Sequence, residues 1–280
     1  MSPSADNFYL PTSLAEFFTD WFKAPLAEPF SCDALQLVKQ SGRRIEIPPQ
    51  YVSLDFIDEL KKISRTERYL EIGSKATLRD ILRLGRSVPT ILRQVLEGAA
   101  SPFLHPLISF GACVQPKSQR SEIAAVLTAL DARYELRSSP ASSRWLSASR
   151  YAALTEQGAG LGRELLTRIR IPLDEWDYAI YRKLRQVDDT GTGSMVILLL
   201  AKMQKDILTD IRVVLAADIV RREKGAESFL TGKHLPLDER DTEPFVAYWR
   251  DYLAGNKTLD PMQQEIAVLC IESCISQFID

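Results

Sequence analysis

The C-terminal third of the chain constrains the fold most strongly, because three apolar or alternating runs follow one another there. The runs are WDYAIYRKLRQ from Trp176, GSMVILLLAKM from Gly193 and TDIRVVLAADIV from Thr209. Alternation of apolar and polar residues is typical of strands with one buried face, and the polar QKD before the last run is typical of a hairpin turn. The pattern predicts a three-stranded antiparallel sheet.

Two amphipathic segments follow these runs, EPFVAYWRDYL and PMQQEIAVLCIESCISQFI. Both predict helices, and Pro261 suits the first turn of the second one. The longest apolar run, Met195 to Ala201, is much shorter than the roughly 20 residues of a membrane-spanning helix. Residues 172–280 are therefore expected to form a domain of an antiparallel sheet packed on helices, with no membrane partner.

Before Pro172, short strands alternate with helices. TSLAEFFTDWF predicts a helix capped by Thr12, and SLDFIDELKKI predicts a helical turn capped by Ser53. Further strands are expected in DALQLVKQSG and at 69–72, 133–137 and 166–171, and further helices from Thr77, from Pro89 and over RSEIAAVLTALDA. The Ser-rich SSPASSRWLSASRYAAL is interpreted as a loop with a short helix, and the basic RREKG as a loop. The fold class is therefore α+β, with parts at 1–60, 61–171 and 172–280.

Composition excludes several classes of function. The 280 residues carry a net charge of −2, with 45% apolar and 26% charged residues. This balance is typical of soluble globular proteins, and without a basic surplus nucleic acid is not expected as a partner. The opening MSPSADNFYLPTSLAEFF has neither a basic start nor a long apolar stretch. We therefore expect no secretory signal and a cytoplasmic protein.

The residues that could carry chemistry are few. The chain has two histidines and four cysteines, and none falls into a zinc-binding or nucleophile motif. Cys270 and Cys274 would share a helix face, but no further ligand accompanies them. The glycines of GAGLGREL lack the dinucleotide-binding spacing. These residues predict neither a catalytic residue nor a metal site.

The segment HPLISFGACV, residues 105–114, is the most unusual stretch. Its single glycine, Gly111, lies among apolar residues, and Pro106 and Ser109 interrupt them. The segment is too short for a helix and contains too much glycine for a plain strand. Three interpretations remain open: a turn that holds a ligand, a turn that once held one, or a buried corner.

Several strings occur in the order found in one protein family. LPTSLAEFF is similar to that family's P-x-S-x-x-E-A, YLEIGSKATLRDIL to L-x-I-G-A-x-T-T-x-x-D-L, and ELLTRIRIP to E-L-L-x-x-I-x-I-P. AESFLTGK resembles A-E-x-x-L-x-G-K. The chain thus resembles the FAD-binding medium subunit of molybdenum hydroxylases, the xanthine dehydrogenase and carbon monoxide dehydrogenase family, over nearly its whole length. The resemblance implies a two-part FAD-binding domain followed by the C-terminal domain.

The first flavin motif of this family is A-G-G-T-D-L, a turn whose bare backbone approaches the FAD pyrophosphate. Its counterpart here is SCDALQ, which places Cys32 and Asp33 at the two glycines and Ala34 at the threonine. Two side chains therefore enter a turn that has none in the family. Asp33 also brings a negative charge, and like charges about 4 Å apart repel by roughly 4 kcal/mol at an effective dielectric of 20.

The second flavin motif, T-I-G-G-N, aligns with the central segment. Ser109 stands at the threonine, Phe110 at the isoleucine, Gly111 at the first glycine, Ala112 at the second and Cys113 at the asparagine. The resemblance implies that backbone N–H groups of Ser109, Gly111, Ala112 and Cys113 face the pyrophosphate. It places Ser118 and Glu122 near the ribityl or adenosine end.

Three further positions follow from the resemblance. Gly73 keeps a turn after a strand, Thr167 lies on a strand beside the isoalloxazine, and Lys183 occupies the family's basic position in the C-terminal half. The implied cofactor is FAD, and the implied partners are an iron–sulfur subunit and a molybdopterin subunit.

Two functions remain open. In the first, FAD accepts electrons from the iron–sulfur clusters and passes them to an acceptor such as NAD, so that the chain is an oxidoreductase subunit. In the second, the chain has lost FAD and acts as a non-catalytic scaffold or assembly subunit. The simultaneous change of both flavin turns motivates the second.

Overall fold

The computed structural model describes residues 8–34, 47–115, 121–156, 162–185, 194–217, 220–255 and 259–279. The chain forms two compact units. The first comprises the chain up to residue 120 together with 131–173, and the second comprises 121–130 together with 174–280. A division of the first unit near residue 60 stays a prediction, and the strand expected in DALQLVKQSG lies outside the described residues.

A small parallel sheet opens the first unit, with strands β1 Phe8–Tyr9, β2 Glu28–Phe30 and β3 Tyr51–Ser53 in the order β1-β3-β2. Helix α1, Leu14–Lys23, buries Phe17, Phe18 and Trp21 in a cluster that includes strand β3. The cap of α1 is Ser13, whose hydroxyl accepts the N–H of Glu16, and not Thr12.

A five-stranded antiparallel sheet completes the first unit in the order β4-β5-β8-β6-β7. Its strands are β4 Ile63–Arg65, β5 Tyr69–Gly73, β6 Arg133–Arg137, β7 Ser143–Ser147 and β8 Leu165–Pro172. Strands β5, β6 and β8 agree with the sequence prediction. The prediction of a loop at β7 was wrong, because this edge strand buries only Leu146 and therefore shows little apolar pattern.

Besides α1, the described residues of the first unit form α2 Leu78–Leu82, α3 Thr90–Ala99, the one-turn α4 Phe110–Cys113, and α6 Ala148–Glu156. Thr77 caps α2 in a reciprocal capping box with Asp80. The predicted helical turn capped by Ser53 was wrong. Ser53 ends strand β3 and its hydroxyl accepts the N–H of Asp55, while a short 3-10 helix forms later, at Asp58–Leu60.

The second unit contains a four-stranded antiparallel sheet of β9 Tyr178–Arg185, β10 Ser194–Gln204, β11 Ile207–Ala216 and β12 Val220–Arg222, in the order β12-β11-β10-β9. The three predicted strands are present, and β12 adds a fourth. Lys205 and Asp206 connect β10 to β11 with φ of 51° and 60°, which is typical of a tight two-residue hairpin turn.

The predicted solvated loop at Arg221–Gly225 was wrong, because strand β12 and helix α7, Lys224–Leu230, occupy it. Arg222 lies 2.8 Å from Glu227, and both side chains are buried. Helices α5 Ser121–Ala129, α8 Glu239–Ala254 and α9 Pro261–Ile275 belong to the same unit. Among the described residues, no helix is long and apolar enough to cross a membrane.

Candidate functional site

A polar cleft of about 380 Å³ lies within the first unit. Its walls come from the segment after β2, the turn after β5, the start of α4 and the start of β8. The lining residues are Pro29, Ser31, Asp33, Leu54, Ser74, Lys75, Ser109, Gly111, Ala112, Gln115, Glu164, Leu165 and Leu166. Four residues of the two predicted flavin turns, Asp33, Ser109, Gly111 and Ala112, therefore share one cleft.

The two predicted turns are joined by a hydrogen bond. The backbone N–H of Ser109 donates to Oδ2 of Asp33, with the nitrogen and oxygen 2.6 Å apart. Asp33 is 2% exposed and Ser109 is 5% exposed. A buried carboxylate is stable only when its charge is compensated, and a backbone N–H aimed at an anion is one such compensation.

The next two N–H groups of the second turn also donate within the protein. Phe110 N–H donates to the carbonyl of Ala76 and Gly111 N–H to the carbonyl of Ser74, both at 2.8 Å. A Cβ on Gly111 would lie 2.8 Å from both the carbonyl oxygen and the Cβ of Ser74. The close approach of the turn after β5 therefore requires a glycine at position 111.

Asp55 does not line the cleft itself but binds lining residues through its carboxylate. Its Oδ1 lies 2.8 Å from Nζ of Lys75, and its Oδ2 accepts the N–H of Cys32 at 3.0 Å. Lys75 also donates to the hydroxyl of Ser31. Among the described residues that line the cleft, Lys75 is the one cation, and Asp55 neutralises it.

Two further polar groups line the cleft. Glu164 forms a two-pronged ion pair with Arg144, with distances of 2.8 and 2.6 Å. The hydroxyl of Ser74 is buried and has no hydrogen-bond partner among the described residues. An unsatisfied buried hydroxyl costs about 1–3 kcal/mol, so Ser74 is the group in the cleft that lacks an acceptor or donor.

Other predicted site residues flank the cleft without lining it. Ala34, Phe110 and Cys113 are buried beside it in the chain, and Cys32 is exposed. Gly73 precedes Ser74, and a Cβ there would lie 2.2 Å from the carbonyl oxygen of Leu60. Apart from the exposed Cys32, these positions therefore have roles in packing that need no ligand.

The side chain of Thr167 is already hydrogen-bonded to a neighbouring strand of the sheet. Its buried hydroxyl donates to Oε2 of Glu135 at 2.8 Å, on the adjacent strand β6. Its carbonyl accepts the N–H of Ser74. Thr167 thus connects strand β8 to the turn that carries Ser74.

Lys183 and Glu122 belong to the second unit and pair with each other there, with Nζ 3.0 Å from Oε1. Tyr181 lies on the same face of β9. Burial, together with the charge of Glu122, raises the pKa of Tyr181 to about 12. Ser118 lies outside the described residues. Within the described part of the chain, no three His, Cys, Asp or Glu side chains are placed to hold a metal ion.

Comparison with known proteins identifies the family. The sequence profile of the FAD binding domain in molybdopterin dehydrogenase matches residues 4–174. The chain belongs to this family. No curated protein sequence gives a significant match.

Solved structures of similar fold cover the whole chain. The reconstituted carbon monoxide dehydrogenase from Oligotropha carboxidovorans matches with a TM-score of 0.75 and 20% identity, over 100% of this chain and 99% of that one. Quinoline 2-oxidoreductase from Pseudomonas putida 86 matches with a TM-score of 0.72 and 19% identity, over 100% and 97%. The fold shared with these structures therefore extends through the second unit, beyond residue 174.

The residues of the cleft do not fit a flavin pyrophosphate in the family manner. Of the four N–H groups expected to face phosphate, that of Ser109 donates to Asp33 and that of Gly111 to Ser74. A phosphate bound to the Ser109 N–H would have to occupy the position that the Asp33 carboxylate already fills. Two like charges about 4 Å apart repel by roughly 4 kcal/mol at an effective dielectric of 20, and Lys75 is already paired.

The sequence prediction missed five polar residues that line the cleft, Ser31, Ser74, Lys75, Gln115 and Glu164, and it missed Asp55, which binds Lys75 from outside the lining. Ser74 and Lys75 follow Gly73 directly, and a polar pair after a strand that ends in glycine is a detectable signal. No comparable sequence signal indicates Asp55 or Glu164 as site residues. Their partners, Lys75 and Arg144, lie 20 residues away in each case.

Proposed function

We propose that this chain is a structural subunit of a molybdenum hydroxylase-type complex and works there without FAD. Its partners are an iron–sulfur subunit and a molybdopterin subunit, and it holds them in one cytoplasmic assembly. The bond from Ser109 N–H to the Asp33 carboxylate carries the proposal, because it takes an N–H group that a cofactor phosphate would need.

The extent of the fold supports the assembly role. The match to carbon monoxide dehydrogenase covers 99% of that chain, including the part that corresponds to the second unit here. A chain that had lost its cofactor and all other use would be under no constraint to keep both units. Retention of the complete fold beside an altered cleft fits a subunit whose surfaces are still used.

Co-expression tests the proposal. The chain is produced with the iron–sulfur and molybdopterin subunits of its own source and purified through a tag on this chain. We expect a stable complex that contains iron and molybdenum but no flavin, as measured by metal analysis and by the visible flavin absorbance after denaturation. Failure to form the complex, or one FAD per copy of this chain, contradicts it.

Membership of the FAD-binding family favours a second candidate, electron transfer from iron–sulfur clusters through FAD to an acceptor such as NAD. The same purification separates the two candidates. A complex that carries FAD and reduces NAD on addition of substrate supports the relay. A colourless subunit that stays colourless after incubation with excess FAD supports the structural role.

A further inference from the structure

Asp33 connects two segments that are 76 residues apart in sequence. On one side is the segment after strand β2, and on the other is the Ser109 turn, which opens helix α4. The carboxylate is 2% exposed, and its oxygen lies 2.6 Å from the Ser109 nitrogen. This separation is at the short end for hydrogen bonds to a charged acceptor, which contribute more to stability than bonds between neutral groups.

The Ser109 turn is held from its other side as well. Gly111 N–H and Phe110 N–H donate to carbonyls of the turn that follows β5, both at 2.8 Å. The turn is therefore fixed by backbone hydrogen bonds, and the Asp33 carboxylate accepts from an N–H group that is already in place. An anion bound to the Ser109 N–H therefore stabilises a turn whose conformation the backbone hydrogen bonds already fix.

A second observation concerns the Ser74 side chain. The Ser74 hydroxyl lines it, is buried in a residue only 6% exposed, and has no hydrogen-bond partner among the described residues. A protein that never placed a polar group opposite Ser74 would gain by burying an apolar side chain there. Asp33 therefore takes one N–H group that a ligand could use, while the Ser74 hydroxyl is still open to one.

We propose that the Asp33 carboxylate is a built-in anion that occupies the Ser109 N–H in place of a cofactor phosphate. The cleft is then a closed structural element that stabilises the first unit without any ligand. Removing the carboxylate exposes an N–H group in a fixed, anion-binding geometry. Inorganic pyrophosphate, a free anion, then binds in the cleft and restores the stability that the missing carboxylate had provided.

Thermal unfolding of the purified chain in an anion-poor buffer tests this with Asp33→Ala. We expect its unfolding midpoint to lie about 5 °C below that of the unsubstituted protein, as the loss of a hydrogen bond to a charged group implies for a domain of this size. Saturating pyrophosphate should recover at least half of that difference. The midpoint of the unsubstituted protein should not respond, because Asp33 holds the position.

Two further variants complete the test. Asp33→Asn keeps an oxygen acceptor for Ser109 N–H but removes the charge, so it should lose less stability and gain little from pyrophosphate. Gln115→Ala alters another lining residue, which is exposed, and should behave like the unsubstituted protein. If Asp33→Ala does not fold alone, refolding it with and without pyrophosphate gives the same comparison.

Three results would overturn the proposal. These are an Asp33→Ala variant as stable as the unsubstituted protein, a loss that pyrophosphate does not recover, and equal stabilisation of both proteins by pyrophosphate. The measurement uses this chain alone. Its outcome is therefore independent of whether the partner subunits of the proposed function bind.

Discussion

Lys183 Nζ lies 3.0 Å from Oε1 of Glu122, a carboxylate that is 1% exposed in the second unit. Removing the lysine leaves this charge buried without its cation, which is among the most destabilising changes a protein can suffer. We expect Lys183→Met to lower the free energy of unfolding by about 3 kcal/mol, as measured by urea denaturation.

The matched control is the double variant Glu122→Gln, Lys183→Met, which removes both charges. It should recover most of the loss, because a neutral amide is far less costly to bury than a carboxylate. A single variant within about 0.5 kcal/mol of the unsubstituted protein, the range of ordinary surface changes, would show that the pair is not a buried one.

The ion pairs of Glu71, on β5, should make the free energy of unfolding depend on pH. It lies 2.8 Å from Arg168 and 2.7 Å from Arg170 on the neighbouring strand. Burial alone raises the pKa of Glu71, but hydrogen bonds and charge from the two arginines outweigh burial and hold the pKa below its ordinary value. Because the folded pKa is the lower one, the stabilisation is present above the unfolded pKa and is lost as pH falls through the folded pKa.

We expect Glu71→Gln to be about 1 kcal/mol less stable than the unsubstituted protein at neutral pH. The difference should shrink below pH of about 4, where the unfolded-state carboxyl is largely protonated. Thermal unfolding across this range measures it. Glu97→Gln is the control, since Glu97 is exposed and lies 4.0 Å from Arg93. A difference for Glu71→Gln that is constant with pH would contradict the assignment.

The four cysteines should react with a thiol-alkylating reagent in an order set by their exposure and pKa. Cys32 is exposed, whereas Cys113 and Cys274 are buried. Burial raises the pKa of Cys274 to about 11 and also raises the pKa of Cys270. Because the thiolate is the reactive form, iodoacetamide at mildly alkaline pH should modify Cys32 first and Cys274 only after unfolding. Peptide mass spectrometry gives the order, and the Cys32→Ser variant should lose the fast native labelling and keep only slow labelling at the partly buried Cys270.

Gly111 distinguishes a packing role from a phosphate-binding role. A Cβ there would lie 2.8 Å from the Ser74 backbone oxygen, so Gly111→Ala should cost about 1–3 kcal/mol in the protein without any ligand. The neighbouring Ala112→Gly should cost less, about 1 kcal/mol, from backbone flexibility in the short helix α4. Equal stability of Gly111→Ala and the unsubstituted protein would mean that the turn tolerates a wider spacing from Ser74.

Restoring the family turns should restore FAD uptake only when Asp33 is changed. We expect the triple variant Cys32→Gly, Asp33→Gly, Ala112→Gly to quench flavin fluorescence on binding FAD. The double variant that keeps Asp33 should leave the flavin fluorescence unchanged. Cys113 stays unsubstituted, because it is fully buried and an asparagine there would bury an amide. Binding by neither variant would show that more than the phosphate contact has been lost.

Local patterns predicted the elements whose signals are local. Strands β9, β10 and β11 follow from apolar or alternating runs, and the helix start was predicted at Thr77, with Asp80 in the first turn. Strand β7 was missed because its residues face solvent, and the Ser53 cap was wrong because its hydroxyl stabilises a turn instead.

The site was predictable only in part. The resemblance placed Asp33 and Ser109 in the two flavin turns, and the structure brings both turns to one cleft. It could not show that the two residues bond to each other, since no local pattern links positions 76 residues apart. Lys183 and Glu122 were both expected near a cofactor, yet they neutralise each other within the second unit.

Because of the hydrogen bond between Asp33 and Ser109, the stability of the Ser109 turn does not depend on the concentration of a free ligand. A cofactor that dissociates fills its site according to its level in the cell, whereas a carboxylate carried on the same chain is present at an effective concentration set by the fold. Dilution, dialysis or starvation for riboflavin cannot remove it. The first unit of this chain should therefore be equally stable in cells rich in flavin and in cells that make none.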